Sequence, residues 1–159
     1  MEKTAEKAKA SLEREVAIAA SPETVWEFLV DPLKATRWMG QECSFDARPG
    51  GLYQCAVIPG HTARGEFVEI DAPRRLVFTW GWEPGEDGPN PVPPGSSTIE
   101  IELVPDGHGT RLRFTHRDLP SEEAAESHSH GWDHYLERLV IAAPGGDPGE
   151  DPWLSGEMS

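Results

Sequence analysis

Polar and apolar positions change period several times along this chain, and each change marks an element. Over residues 13–19 they alternate in twos, the period of a half-buried strand. A helical spacing follows at once. Ser21 suits an N-cap, Pro22 the first helical position and Glu23 the positive end of the helix dipole, while Val25, Phe28 and Leu29 form an inner stripe flanked by Trp26. Asp31-Pro32 restarts the chain as a second short helix ending around Trp38-Met39-Gly40. Period two then returns over residues 43–47, 52–58, 63–70, 75–82, 98–104 and 110–116. Turns at Pro49-Gly50-Gly51, Pro59-Gly60, Asp71-Ala72-Pro73 and residues 105–109 separate these runs, which predicts an antiparallel meander.

The longest amphipathic stretch comes last. Ser121 caps it, Glu122 and Glu123 fill its first turn, and Pro144-Gly145-Gly146 end it. At 100° per residue, His128, Trp132, Tyr135, Leu136, Leu139, Val140 and Ala143 make one stripe, with His130, His134, Glu137 and Arg138 on the opposite face. A helix of about 23 residues is about 35 Å long, enough to cross a whole sheet. Three segments carry no such pattern. Residues 1–12 are charged and lack an apolar stripe, and residues 144–159 are rich in Pro, Gly and acid. Both are expected to be flexible tails, the second with Trp153-Leu154 able to dock. Residues 83–97 form an acidic Pro/Gly-rich loop with almost nothing apolar to bury, expected as a solvated excursion or else a lid. The pattern predicts a single α+β domain over residues 13–143. A curved antiparallel sheet of six to seven strands and two short helices would be crossed on its concave face by the long C-terminal helix.

Charge narrows the partners. The 159 residues carry 14 Lys+Arg against 28 Asp+Glu, a formal net charge of −14. That surface repels phosphate backbones and anionic headgroups, and no run of Lys or Arg offers a local exception, so no nucleic-acid partner is expected. The N-terminus has no apolar signal core and no stretch approaches the ~18 apolar residues of a membrane span, so a cytoplasmic location is expected. Cys43 and Cys55 flank the Pro49-Gly50-Gly51 turn almost symmetrically, which could set them opposite each other on paired strands. With only two cysteines and no disulfide framework, they are read as small half-buried strand residues.

Several short motifs occur in order over roughly residues 13–142: Ser21-Pro22-Glu23 with Val25-Trp26, Asp31-Pro32, Arg37-Trp38, Arg48-Pro49-Gly50-Gly51, Gly65, residues 73–80, residues 109–112, Gly131-Trp132 and residues 136–139. In this series the chain resembles the family named after the activator of the heat-shock protein 90 ATPase, within the START-like (SRPBCC) superfamily. The resemblance implies the helix-grip fold, also that of birch-pollen-allergen-like proteins, with an apolar cavity between sheet and C-terminal helix. It is compatible with a chaperone partner. Eukaryotic activators resemble this chain only in their C-terminal domain, so the co-chaperone role does not follow from the family name.

The residues expected to line that cavity are Trp38 and Met39 at the mouth, Phe45, Tyr53, Phe67, Phe78 and Trp80 from the sheet, and Phe114, His116, His128, Trp132 and Tyr135 beyond it. The alternative is that these aromatics fill the space as a solid core. Gly131 in mid-helix costs about 1 kcal/mol against Ala, which suggests a close approach to the backbone there. His116 and His128 are weak candidates for an acid/base pair, against the plainer reading of two hydrogen-bonded histidines. His130 and His134, at i and i+4, could share a metal ion, but they fall on the outer face with only Glu126 or Glu137 as a third ligand, so no metal is assigned. H-E-x-x-H, P-loop, G-x-G-x-x-G and G-x-S-x-G patterns do not occur, and no cofactor is expected.

The expected function is therefore the binding of a small hydrophobic or aromatic molecule by a monomer or homodimer. The alternatives are a co-chaperone-like regulator or protein-interaction module acting through an acidic outer sheet surface, and a cyclase- or dehydratase-like enzyme using a cavity histidine.

Overall fold

The computed structural model describes residues 9–85, 88 and 90–155. The tail expected over residues 1–12 therefore lies largely outside the described residues, as do 86, 87 and 89 of the acidic loop and 156–159 of the C-terminal tail. The first strand, β1 (Ala10–Ile18), starts three residues earlier than its alternation suggests, because Ala10 and Leu12 continue the buried face and pair with the far end of the last strand. Helix α1 (Pro22–Val30) starts where Ser21 accepts a hydrogen bond from the Thr24 amide at 3.2 Å, and α2 (Pro32–Ala35) where Asp31 accepts from the Leu33 amide at 2.9 Å. These caps satisfy amides that the first helical turn leaves free, with Pro at each first position.

Six strands follow: β2 (Glu42–Phe45), β3 (Leu52–Ile58), β4 (His61–Asp71), β5 (Arg75–Trp80), β6 (Ser97–Asp106) and β7 (Gly109–Leu119). All neighbours are antiparallel, in the order β1-β7-β6-β5-β4-β3-β2, so the first strand closes one edge by pairing with the last. Helix α3 (Glu122–Ala142) is capped by Ser121, whose oxygen accepts from the Ala124 amide at 3.0 Å. It buries Trp132, Tyr135, Leu136 and Leu139 against the sheet. No helix among the described residues is long and apolar enough to cross a membrane.

Three expectations change. Cys43 and Cys55 lie directly opposite across β2 and β3, with Cα atoms 4.1 Å apart, and form a disulfide. The symmetric flanking of the turn was the informative signal, since equal offsets from a tight turn place two residues in register. The outer sheet face is mixed in charge rather than acidic: Glu15, Glu69, Glu100 and Glu102 are each paired with Arg75, Arg111, Arg113 or Arg117 on the same or neighbouring strands. The C-terminal segment, expected as a flexible tail with Trp153-Leu154 able to dock, folds back onto α3 in a 3-10 turn, Pro152–Ser155, that buries Trp153.

The seat for that segment is a row on α3 formed by His130, His134 and Arg138, spaced four apart. Trp153 stacks on His134 with centroids 3.7 Å apart and lies 5.4 Å from His130. His134 Nε2 meets Asp151 Oδ1 at 2.8 Å. Arg138 donates to the carbonyls of Trp38, Pro148 and Gly149, tying the segment to the end of α2. The i, i+4 histidines that invited a metal reading thus form an aromatic shelf.

Candidate ligand-binding site

The space under α3 divides into two unequal parts. One is a pocket of about 490 Å³ at the N-terminal half of the helix. Its floor is buried, formed by Met39, Val57, Trp80, Val92, Trp132 and Tyr135, while Glu123, Ser127 and His130 form an exposed rim. The other is a small void of about 10 Å³ among Trp38, Tyr53, Phe78, Phe114 and the leucines of α1 and α3. Trp132 lines both and stands between them.

This division separates the expected lining residues. Met39, Trp80, His128, Trp132 and Tyr135 face the pocket. Trp38, Tyr53, Phe78 and Phe114 face only the small void, and Phe45, Phe67 and His116 border neither. The physical reason is ring packing. Tyr53 is sandwiched between Phe45 at 4.8 Å and Phe78 at 4.2 Å, with Phe67 edge-on at 5.7 Å, so the aromatic cluster on β2–β5 fills its own end of the grip. Trp38 points its indole Nε1–H at the Phe28 carbonyl, 2.8 Å away, and serves as an anchor between helices.

Three pocket elements have no counterpart in the sequence-derived set. Trp82 lies two residues beyond β5, and its backbone amide donates to the Val92 carbonyl at 2.7 Å. Val92, the one aliphatic side chain of the acidic loop, is buried and closes the pocket with Pro91 and Asn90, so residues 90–92 form a wall of it. Trp153 supplies a further side from the C-terminal segment. Gly81 permits the loop to close: a Cβ there would come within 1.7 Å of the Pro93 carbonyl oxygen. At Gly131 the expected close approach is absent. A Cβ would meet nothing within 4 Å, and the glycine lines the pocket.

The polar chemistry centres on two imidazoles, His116 and His128, whose rings are 5.1 Å apart. The Ser97 hydroxyl donates to the Trp80 carbonyl at 2.8 Å, so its oxygen accepts from His116 Nε2, also 2.8 Å away. His116 Nδ1 then accepts from the Trp132 indole at 3.1 Å. His128 is arranged in parallel: Nδ1 donates to the Ala124 carbonyl at 2.9 Å and Nε2 accepts from the Trp82 indole at 3.1 Å. Each ring is neutral and each accepts one indole N–H. Burial, and secondly the neighbouring His128, push His116 down to about 3. Burial also lowers His128, against the opposing pull of the Ala124 carbonyl. Both ring nitrogens of both histidines are engaged, and of the two only His128 borders the pocket. Among the described residues, no group of three or more His, Cys, Asp or Glu is placed to hold a metal ion.

A seven-stranded antiparallel sheet gripping a long C-terminal helix, with a pocket between them, defines the helix-grip class of START-like proteins. Within it the chain belongs to the family described as Activator of Hsp90 ATPase homolog 1-like protein, whose model matches residues 19–143. An AHSA1-like protein from Rhizobium etli, solved in solution, is 45% identical with a TM-score of 0.72, over 92% of this chain and 89% of that one. CalU16 from Micromonospora echinospora is 26% identical with a TM-score of 0.66, over 86% of this chain and 78% of that one. An Hsp90 activator from Plasmodium falciparum is 23% identical with a TM-score of 0.67, over 82% of this chain and 94% of that one, which shows the shared fold alone. No curated protein matches the chain.

Proposed function

We propose that this protein binds a small hydrophobic or aromatic molecule in the pocket at the N-terminal half of α3. The observation that carries this reading is the pocket's size and lining together. About 490 Å³ lies within the ~300–1,000 Å³ range of small-molecule sites, and the lining is mostly aromatic and aliphatic. Burial lowers His128 on that lining and its Nε2 accepts an indole N–H, so an uncharged guest meets a neutral imidazole there. The decisive experiment pairs native mass spectrometry of protein from its own cells with thermal denaturation against a panel of apolar ring compounds. A co-purifying small molecule, or a rise in melting temperature that Gly131→Phe abolishes by filling the pocket, supports the reading. No bound molecule and no stabilisation across the panel overturns it.

The family description and the Plasmodium falciparum relative favour a second reading, that of a chaperone regulator. It requires ATP turnover by the cognate heat-shock protein 90 to change at stoichiometric protein. A flat titration removes it and leaves the ligand-binding reading untouched.

A further inference from the structure

One side of the pocket belongs neither to the sheet nor to α3. Trp153, 7% exposed, is carried there by the C-terminal segment, residues 147–155. Its indole stacks on His134 at 3.7 Å with the ring planes 12° apart, lies 5.4 Å from His130 and meets Tyr135 edge-on at 5.5 Å. His130 is part of the exposed rim and Tyr135 part of the floor, so the ring stands between the two. The segment's anchorage is narrow. From residue 144 to 154 only Asp151 and Trp153 are buried. Asp151 Oδ1 accepts from the Trp153 amide at 3.0 Å and meets His134 Nε2 at 2.8 Å, so one carboxylate fixes both the turn and its seat. Arg138 adds hydrogen bonds to the Pro148 and Gly149 carbonyls.

We infer that this segment is a ligand-linked strap: it docks more firmly when the pocket is occupied, and Trp153 is the residue through which it retains the guest. This rests on the pocket reading above and adds a detachable wall to it. A segment with one buried ring and one buried carboxylate as its anchors opens at far less cost than the sheet beside it. An uncharged ring compound in the pocket packs on Trp153 only while the strap is docked, so it binds the docked form more tightly. By linkage, the factor by which docking raises the guest's affinity is the factor by which the guest favours docking. His134 and Asp151 do not line the pocket, so they are positioning residues that reach the guest only through Trp153.

The test titrates N-phenyl-1-naphthylamine, an uncharged aromatic fluorophore that brightens in apolar surroundings, into the full chain and into Trp153→Ala, His134→Ala and Asp151→Ala. Gly131→Phe serves as the filled-pocket control. Trp153→Ala should bind the probe about fivefold more weakly, the factor that one aromatic contact supplies. His134→Ala and Asp151→Ala should also weaken binding, although neither residue touches the guest. Adding His134→Ala to Trp153→Ala should cost nothing more, because both act through one strap. Amide hydrogen exchange gives the reciprocal readout. Saturating probe should slow exchange of the Trp153 and Leu154 amides by about the factor that Trp153→Ala costs in affinity. A segment with only a structural role would exchange at the same rate with and without probe. Equal affinity in Trp153→Ala and the wild-type protein, or strap exchange unmoved by saturating probe, overturns the inference and leaves the pocket reading standing. If the wild-type protein binds no probe, or Gly131→Phe binds it equally well, the pocket reading fails and the strap falls with it. Should Trp153→Ala not fold, exchange in the wild-type protein still decides.

Discussion

Single residues set the chemistry of this site, and the two imidazoles show how. Each takes an indole N–H on one nitrogen and donates from the other, so protonating either ring forces a donor against a donor. The consequence is a pH dependence of stability. His116 titrates near 3 in the folded protein and near 6.5 when unfolded, so between those values the unfolded chain binds a proton that the native state does not. Stability from this source is complete above about pH 6.5 and is lost as pH falls towards 3, by at most about 1.4 kcal/mol per unit. His128, shifted in the same direction, adds to the upper part of that window. Urea unfolding measured from pH 7 to pH 4 should show this slope, and His116→Asn should make it shallower by about one proton's worth. Parallel slopes would mean that His116 is not buried in its neutral form. Gly131 makes a second prediction at this scale. With open space beside its Cα, Gly131→Ala gains helix propensity without a clash and should raise stability by up to about 1 kcal/mol, read as a higher denaturation midpoint. The wheel placed His128 and Trp132 on the inner stripe, but it contains no information on which ring nitrogen meets which indole. That depends on residues from β6, β7 and the segment after β5, brought together only by the sheet's register.

At the scale of elements, periodicity located the seven strands and helices α1 and α3, most of which have one face in the core and one in water, while Asp31-Pro32 marked α2. It was least informative where burial is carried by one side chain in a polar segment. Val92, among prolines, glycines and acids, looks solvated in any window average, yet it is buried and its carbonyl holds the Trp82 amide. Trp153 is similar, since its seat is a row of polar residues on α3 that an apolar stripe search passes over. The loop's closure depends on one residue without a side chain. Any Cβ at Gly81 would collide with the Pro93 carbonyl, so Gly81→Ala must push the loop outward. We expect a cost of about 2 kcal/mol, within the usual range for a core-edge clash, and faster proteolysis confined to the segment between β5 and β6. An unchanged digestion pattern would show that the loop does not depend on that contact. Its position along the pocket also predicts weaker ligand binding in the same variant.

For the whole molecule, the fold came from the order of elements, whereas the extent of the cavity could not. Twelve residues were expected around one continuous space, and the structure divides them because aromatic side chains from β2 to β5 pack on one another and leave only about 10 Å³ beside them. How completely a concave sheet is filled depends on ring orientations, which alternation does not encode. Trp132 is the divider: it packs against Phe114 at 4.6 Å on one side and Trp80 at 5.1 Å on the other, and it borders both spaces. Truncating it should join them. Trp132→Ala removes a buried ring and leaves His116 Nδ1 without its donor, so a loss of about 3–5 kcal/mol is expected in chemical denaturation. If the chain stays folded, its pocket becomes longer, and the variant should accept ring systems one or two rings larger than the wild-type protein does. Trp132→Phe separates the two effects. It keeps most of the wall, so the size limit should hold, while the unpaired imidazole should still lower the unfolding midpoint. A variant in which neither stability nor size selection changes would show that Trp132 does not separate the two spaces.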